Sequence, residues 1–312
     1  MKITILSRRI VVAVFLLLSL PSFAGQPYKA IYVFGDSLSD MGNYTALFGP
    51  LPEPPYYQGS RLTSGKVAVE VMAEHLALPL NPSLHLIGFP AGNNFATAGA
   101  RAAGDTPVDL PTQLQMFFLA HGGTAPANAL YVVFFGGNDI RTARNEPDDA
   151  AASAYLKTAA HAVGNLIRDL HIAGARHFLV VNAPDIGSIP ETSLAANSVG
   201  DSLLALRAAI LSRYFNRKLD KELKIIRRTT DIAITRFDLL TRMNTLIRLG
   251  PVIGFSNTTD GCFSLFTGLF HPDCDTGSNV DSFFFVDEIH PTARIHRYVG
   301  DALARAVSFR KH

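Results

Sequence analysis

Apolar positions along the chain fall into two alternating patterns. Short runs rich in β-branched and aromatic residues end at Gly, Asn or Asp, which is typical of buried strands. Between them, apolar residues recur at helical spacing over longer stretches. The short runs predict strands at residues 30–34, 84–89, 130–135, 177–181 and 232–237. The longer stretches predict helices at residues 67–76, 111–120, 148–172, 202–226 and 292–307.

This alternation predicts parallel strands joined by crossover helices. The predicted strands are continuous apolar runs, so we expect helices to cover both faces of the sheet. The sequence therefore predicts an α/β fold, a doubly wound arrangement with a central parallel sheet. In such sheets ligands bind outside the carboxyl ends of the strands, so the residues that follow each apolar run are the candidates for function.

The first 24 residues have the pattern of a secretory leader. A basic start precedes an apolar run at residues 10–20, and small residues follow at Ser22 and Ala24. The run is far shorter than the roughly 20 residues that span a bilayer. We therefore predict a signal peptide at residues 1–24, cleaved near Ala24, and a single domain at residues 25–312. Such a protein is exported to the periplasm or beyond the cell.

Charge and composition exclude some classes of partner. Three of the 28 cations precede residue 25, so the rest of the chain is close to neutral. A neutral surface has no strong electrostatic attraction to nucleic acid or anionic membranes. With 48% hydrophobic residues, the chain can bury a large core. We expect no nucleic-acid partner and only transient contact with a membrane or micelle surface.

The two cysteines, Cys262 and Cys274, lie close together in the sequence. An even number of cysteines at short spacing in an exported chain predicts a disulfide. Closing so small a loop stabilises a fold by about 3 kcal/mol in the chain-entropy model. The neighbouring HPDCD has too few ligand residues for a typical zinc site, and DCDTGSN has its glycine one position early for a calcium loop. We predict no metal site and no cofactor.

Residues with catalytic chemistry follow the predicted strands. Ser37 lies in GDSLSD after the first strand, Gly99 in NNFATAGA after the second and Asn138 in FFGGND after the third. Near the carboxyl end, VDEIHP contains Asp287 and His290. Each motif alone is most often a turn, because Gly, Asp, Asn and Ser are common turn residues. Their joint order is what points to a site.

The residue types at these positions suit nucleophilic catalysis. A serine becomes a nucleophile when a histidine removes its proton and a carboxylate orients that histidine. Of the ten histidines, only His290 has an acidic residue three positions earlier, and Ser37 is the best candidate for its partner. The oxyanion that forms needs preorganised donors. The candidates are the backbone N–H groups of Ser37 and Gly99 and the side-chain amide of Asn138.

Four motifs resemble those of the GDSL (SGNH) hydrolase family, in the order that the family has them. They are GDSL at residues 35–38, Gly99, GGND at residues 136–139 and DEIH at residues 287–290. The resemblance implies a flavodoxin-like α/β/α sandwich, the SGNH hydrolase fold, for residues 25–312. It also implies Ser37 as nucleophile, His290 as base and Asp287 as the carboxylate that orients it. Ser37, Gly99 and Asn138 then form the oxyanion hole.

Two further segments extend the resemblance over nearly the whole chain after the leader. PPYYQGSRLTSGKVAVE, at residues 54–70, is similar to the segment that follows the nucleophile in lipase-like members. NAPDIGSIP, at residues 182–190, is similar to their Pro-Asp-Leu-Gly turn. One departure is Leu62 and Thr63, where plant-type members usually have Phe and Ser. That departure leaves the packing of this loop open.

The implied function is ester hydrolysis. The length and the Pro-Pro-Tyr loop resemble secreted bacterial lysophospholipases A and glycerophospholipid:cholesterol acyltransferases. We therefore expect hydrolysis of fatty-acyl esters, above all lysophospholipids. Acyl transfer to cholesterol or another alcohol and deacetylation of carbohydrates are the alternatives. The Gly-x-Ser-x-Gly elbow of α/β-hydrolases is absent from the sequence, and a binding module would be expected to have lost a catalytic residue.

Phenylalanine-rich segments are candidates for contact with the acyl group of a substrate. Residues 116–119 have the spacing of an apolar helix face, whereas residues 265–270 and 283–286 flank His290. The latter two form either an apolar wall for an acyl chain or part of the core. The loop between the cysteines is either a stabilising staple or a lid over the acyl site, and the sequence leaves both interpretations open.

Overall fold

The computed structural model describes residues 28–51 and 57–308, so the predicted leader lies outside the described residues. The strands are β1 Ala30–Gly35, β2 Ala129–Phe134, β3 His177–Val181, β4 Ala233–Phe237, β5 Asn257–Gly261 and β6 Phe283–Phe285. The α-helices are α1 Asn43–Phe48, α2 Ala68–His75, α3 Leu110–Ala120, α4 Gly137–Arg144, α5 Asp149–Ile172, α6 Pro190–Val199, α7 Leu204–Thr229, α8 Leu239–Leu249 and α9 Ala293–Ser308. Short 3₁₀ helices lie at Ile186–Ser188, Pro272–Gly277 and Val280–Ser282.

The central sheet is parallel, with the order β1-β2-β3-β4. β1, β2 and β3 are buried along almost their whole length, as the continuous apolar runs predict, whereas β4 exposes Arg236. α2 packs against α9 and α5 packs against α7, so helices cover the sheet in two separate layers. The predicted three-layer α/β sandwich is confirmed.

The predicted strand at residues 84–89 is wrong. These residues form a turn, in which Leu84 has a φ of 57° and Phe89 is exposed. The chain pairs with β1 later, through an extended segment at residues 93–97. The Val33 N–H donates to the Asn93 carbonyl at 3.0 Å, and the Phe95 N–H donates to the Val33 carbonyl at 2.8 Å. The apolar run was misleading because its side chains face solvent, while the segment that pairs carries two asparagines.

A second, two-stranded sheet of β5 and β6 lies next to the turn that contains His290. The Phe263 N–H donates to the Val286 carbonyl at 2.9 Å, and a disulfide joins Cys262 to Cys274. Of the two interpretations of residues 283–286, the structure supports the core, because these side chains are buried. Phe266 and Leu269 of the other segment are exposed instead. Within the described residues, the helices are too short or too polar to cross a membrane.

Candidate active site

The turn after β1 presents Ser37 at the edge of the sheet. A Cβ atom on Gly35 would lie 2.7 Å from the Phe134 carbonyl oxygen, so the strand can end this close to β2 only with glycine. Asp36 then turns the chain, because its carboxylate accepts the Leu38 N–H at 3.0 Å. Ser37 is nearly buried at this turn, at 8% exposure.

Asp40 ties this turn to the segment that contains Gly99. Its buried carboxylate accepts the Ala98 N–H at 2.8 Å, next to Gly99, whose φ of 81° lies in the left-handed region. The same carboxylate accepts three more backbone N–H groups, those of Gly42, Asn43 and Tyr44. One side chain therefore fixes both the nucleophile turn and the loop beside it.

His290 lies between Ser37 and Asp287. Its Nε2 is 2.9 Å from Ser37 Oγ, and its Nδ1 is 2.7 Å from Asp287 Oδ2. Asp287 Oδ1 also accepts the backbone N–H groups of Ile289 and His290, each at 2.7 Å. The Tyr57 hydroxyl donates to Asp287 Oδ2.

The carboxylate of Asp287 is held in its charged form. Burial by itself would raise the pKa of Asp287, but the facing imidazole, the Tyr57 hydroxyl and the His290 N–H outweigh it and hold the pKa below its ordinary value. The ionised carboxylate accepts the Nδ1–H, so Nε2 of His290 is left free to accept a proton from Ser37.

Asn138 faces the same edge from the start of α4. Its Nδ2 donates to the Ala100 carbonyl at 3.0 Å, and its Oδ1 accepts from Arg141 at 3.1 Å. Arg141 in turn forms an ion pair with Glu191, whose backbone N–H donates to the Glu288 carbonyl at 2.8 Å. The arginine fixes which end of the amide points at Ala100.

Two buried carboxyl groups lie beneath this edge. Burial raises the pKa of Asp36 to about 7 and the pKa of Asp139 to about 6. Asp139 accepts the N–H groups of Ala102 and Ala103 at 2.9 and 3.0 Å, so it holds the loop after Gly99. Among the described residues, no group of three or more His, Cys, Asp or Glu side chains is arranged to hold a metal ion.

The structure brings the predicted Ser37, His290 and Asp287 into one hydrogen-bonded chain, and it places Asn138 beside the loop that follows Gly99. Sequence reasoning missed the residues that support them. Arg141 lies one helical turn after Asn138, and Asp40 lies three residues after Ser37. Tyr57 lies inside the 54–70 segment that resembles lipase-like members, and that resemblance was the signal that could have found it.

Similar proteins were found at the level of family, sequence and fold. The model of the GDSL-like Lipase/Acylhydrolase family matches residues 31–303. A GDSL esterase/lipase of Arabidopsis thaliana is 28% identical over 75% of this chain and 73% of its own length. Acetylajmalan esterase 2 of Rauvolfia serpentina is 28% identical over 88% of each chain.

Two bacterial proteins are also similar. Lipase 1 of Photorhabdus luminescens is 31% identical over 64% of this chain but only 29% of its own length. The crystal structure of a putative GDSL-like lipase from Parabacteroides merdae covers 90% of this chain and 96% of its own, with 12% identity and a TM-score of 0.47.

The extent of the family match decides the classification. It runs from β1 to α9 and so includes both the turn of Ser37 and the turn of His290. The chain belongs to the GDSL-like lipase/acylhydrolase family, whose members are hydrolases that act on esters.

Proposed function

We propose that the protein is a serine esterase in which Ser37, His290 and Asp287 form a catalytic triad. The observation that carries the proposal is the unbroken chain of hydrogen bonds from Asp287 through His290 to Ser37, at 2.7 and 2.9 Å. The three side chains are at most 8% exposed, and in so dry a setting electrostatic interactions are stronger than in water.

The first half of the reaction forms an acyl-enzyme. Ser37 Oγ attacks the ester carbonyl carbon while His290 Nε2 takes its proton, and Asp287 stabilises the imidazolium that results. The carbonyl oxygen becomes an oxyanion, which accepts from the Ser37 and Gly99 N–H groups and from Asn138 Nδ2. The tetrahedral intermediate collapses, the C–O bond to the alcohol breaks, and His290 returns its proton to the leaving alcohol.

The second half of the reaction releases the acid. A water molecule gives its proton to His290 and attacks the acyl carbon, and the same donors hold the second oxyanion. When this intermediate collapses, Ser37 leaves and regains its proton from the imidazolium. When an alcohol takes the place of this water molecule, the same steps transfer the acyl group to that alcohol.

The preferred substrate is a fatty-acyl ester, above all a lysophospholipid. Phe266 and Leu269 are 70% and 67% exposed on the loop between the cysteines. The loop is anchored beside the site, because the Leu265 N–H donates to Glu288 at 2.9 Å and Glu288 follows Asp287 directly. Exposed apolar side chains beside a reacting centre favour contact with a lipid chain over a carbohydrate.

We also propose that residues 1–24 are a cleaved leader and that residues 25–312 form a single catalytic domain that works outside the cytoplasm. The disulfide between Cys262 and Cys274 supports export, since such bonds persist in oxidising compartments.

The decisive experiment compares Ser37→Ala with Ser39→Ala. Ser39 lies two residues away in the same GDSLSD motif, and its buried hydroxyl has no hydrogen-bond partner among the described residues. Ser37→Ala should lower kcat on a soluble ester by about 10⁴-fold or more, while Ser39→Ala should stay within a few-fold of the wild type. Similar activities of the two variants would exclude the triad.

The substrate is tested with acetyl, octanoyl and palmitoyl esters and with lysophosphatidylcholine, each with and without cholesterol. We expect kcat/KM to rise with acyl length and to be highest for the lysophospholipid. A preference for acetyl esters would replace the lipid assignment with a carbohydrate esterase. Formation of cholesterol ester at the expense of free fatty acid would replace it with an acyltransferase.

A further inference from the structure

The Tyr57 hydroxyl donates to the carboxylate of the proposed triad. Asp287 Oδ2 is shared between His290 Nδ1 and the Tyr57 hydroxyl, while Oδ1 accepts two backbone N–H groups. Tyr57 is 2% exposed and Asp287 is fully buried. The carboxylate therefore has four donors, and Tyr57 is the one that comes from a distant part of the chain.

The segment that contains Tyr57 is joined to the turn of His290 at three places. Besides the bond from Tyr57 to Asp287, Thr63 Oγ1 donates to the Pro291 carbonyl at 2.9 Å. The Ala293 N–H donates to Ser64 Oγ at 3.0 Å. Residues 57–64 thus lie along the whole turn from 287 to 293, with the tyrosine at the end nearest the carboxylate.

A hydrogen bond to a carboxylate spreads its charge and weakens it as a partner of a neighbouring cation. For Asp287, the neighbouring cation is the imidazolium that forms on His290 during the reaction. A donor on Oδ2 therefore makes protonation of His290 less favourable, and it also fixes the plane of the carboxylate that orients the ring.

We propose that Tyr57 is a positioning residue of the reaction, whose hydroxyl orients Asp287 and tunes how readily His290 takes a proton. The inference rests on the proposed triad. Tyr57 acts through the carboxylate of Asp287, to which its hydroxyl donates. The active-site array is then Ser-His-Asp-Tyr, a chain of four side chains.

Other charged or titratable groups also face His290, and they stay in place when Tyr57 is changed. Asp36 comes from the turn after β1, and His296 comes from α9. Burial lowers the pKa of His296 to about 3, so this ring is neutral over the working range. The Glu288 side chain turns away to the Leu265 N–H.

The test is Tyr57→Phe, which removes one oxygen and keeps the ring. The acidic limb of kcat/KM against pH should move up by about 0.5 to 1 pH unit, because the freed carboxylate holds the imidazolium more strongly. At the optimum, kcat should fall about tenfold with KM within about twofold, as expected when only the transition state is affected. An unchanged or downward-shifted limb would overturn the proposal.

Two control variants separate this effect from a structural one. Tyr131→Phe removes another buried tyrosine hydroxyl, which donates to the Pro126 carbonyl at 2.9 Å far from the site. Thr63→Val removes the bond to Pro291 and leaves Asp287 untouched. Both variants should unfold at a lower temperature, and neither should shift the acidic limb. An equal shift in Thr63→Val would mean that Tyr57 acts only as a loop anchor.

A readout that needs no turnover distinguishes failure of this inference from failure of the proposed function. In Ser37→Ala the His290 ring can be titrated by NMR with and without Tyr57→Phe. The titration midpoint should rise in the double variant by a similar amount to the kinetic limb. If the midpoint rises but Ser37→Ala keeps full activity, the role of Tyr57 stands and the proposed triad is rejected. No rise would reject the role of Tyr57 alone.

Discussion

The two halves of the candidate active site, named here for the proposed nucleophile Ser37 and the proposed base His290, are built in different ways. The nucleophile half, residues 36–40, 98–103 and 136–139, follows directly from strand ends and from the extended segment beside β1. Its supports are carboxylates that belong to this half and accept backbone N–H groups from its other segments, as Asp40 and Asp139 do. The base half, residues 287–293, lies on a turn outside the main sheet. This half depends on contacts from segments far away in the sequence.

The contacts of the base half come from three directions. Tyr57 and Thr63 bond to it from the loop before α2. The Glu191 N–H reaches the Glu288 carbonyl from α6, and Phe263 pairs with Val286 inside the disulfide-bonded region. The difference teaches that the main sheet positions Ser37, whereas His290 is positioned by loops and helices that bond to its turn from outside that sheet.

The largest effect is expected for Asp40→Ala in the nucleophile half. Four backbone N–H groups lose their acceptor in a buried place, so the free energy of unfolding should fall by about 4 kcal/mol. Urea unfolding measures it. Asp148→Ala is the control, because this exposed helix cap accepts one N–H and should cost about 1 kcal/mol. Equal losses in the two variants would contradict the view that Asp40 holds this half together.

Asn138→Ala should affect catalysis and not binding. Loss of one oxyanion donor should lower kcat by about 10² to 10³-fold, with KM nearly unchanged. Asn182→Ala removes a side-chain amide that instead accepts the Leu239 N–H at the start of α8, and its kcat should match the wild type. Steady-state kinetics on a soluble ester measures kcat and KM of both variants. A loss below tenfold in Asn138→Ala would remove this residue from the oxyanion hole.

In the base half, the double variant Cys262→Ala/Cys274→Ala should lose about 3 kcal/mol of stability. Because the disulfide lies beside the turn of His290 and outside the main sheet, activity should disappear at a lower urea concentration than the fluorescence signal of global unfolding. Reduction of the wild-type disulfide should give the same separation. Coincident loss of activity and fluorescence in both cases would mean that the two halves unfold together.

Asp36→Asn tests the burial of charge under the nucleophile. Folding raises the pKa of Asp36 to about 7, so between pH 4 and 7 the folded wild type binds more protons than the unfolded chain, and its stability falls as the pH rises. Asparagine keeps the acceptor for the Leu38 N–H and carries no charge. Relative to the wild type, the variant should therefore gain on the order of 2 kcal/mol between pH 4.5 and 8. Thermal unfolding of both proteins at pH 4.5 and 8 measures this gain. A difference in stability between variant and wild type that does not change with pH would contradict the prediction.

Much of the fold could be predicted because buried strands carry a strong signal. The runs that form β1 to β3 are almost continuously apolar, and α5 and α7 repeat apolar residues over many turns. The extended segment at residues 93–97 was not predicted, because its two asparagines are typical of a turn. In the structure the Asn94 side chain bonds to the Ser39 carbonyl, so a polar residue is satisfied inside the fold. Short α4 escaped because it has too few apolar residues for a periodic pattern.

The candidate site divides in the same way. Ser37, Asn138 and His290 could be found because turn motifs and a short spacing mark them. No local pattern marks Tyr57, because it lies 230 residues from Asp287, and only the family resemblance of residues 54–70 could have pointed to it. Composition also did not reveal that residues 283–286 belong to the core. A run of apolar residues has the same sequence pattern whether its side chains face a ligand or the interior.

The hydrogen bond between Ser37 and His290 spans 253 positions of the chain. During synthesis the serine leaves the ribosome long before the imidazole exists, and a growing or truncated polypeptide has a hydroxyl with no base. In the proposed triad, Ser37 therefore lacks its base until the turn of His290 has been made and placed against the end of β1. Under the proposed function, the order of residues alone delays the onset of ester cleavage until this turn has folded.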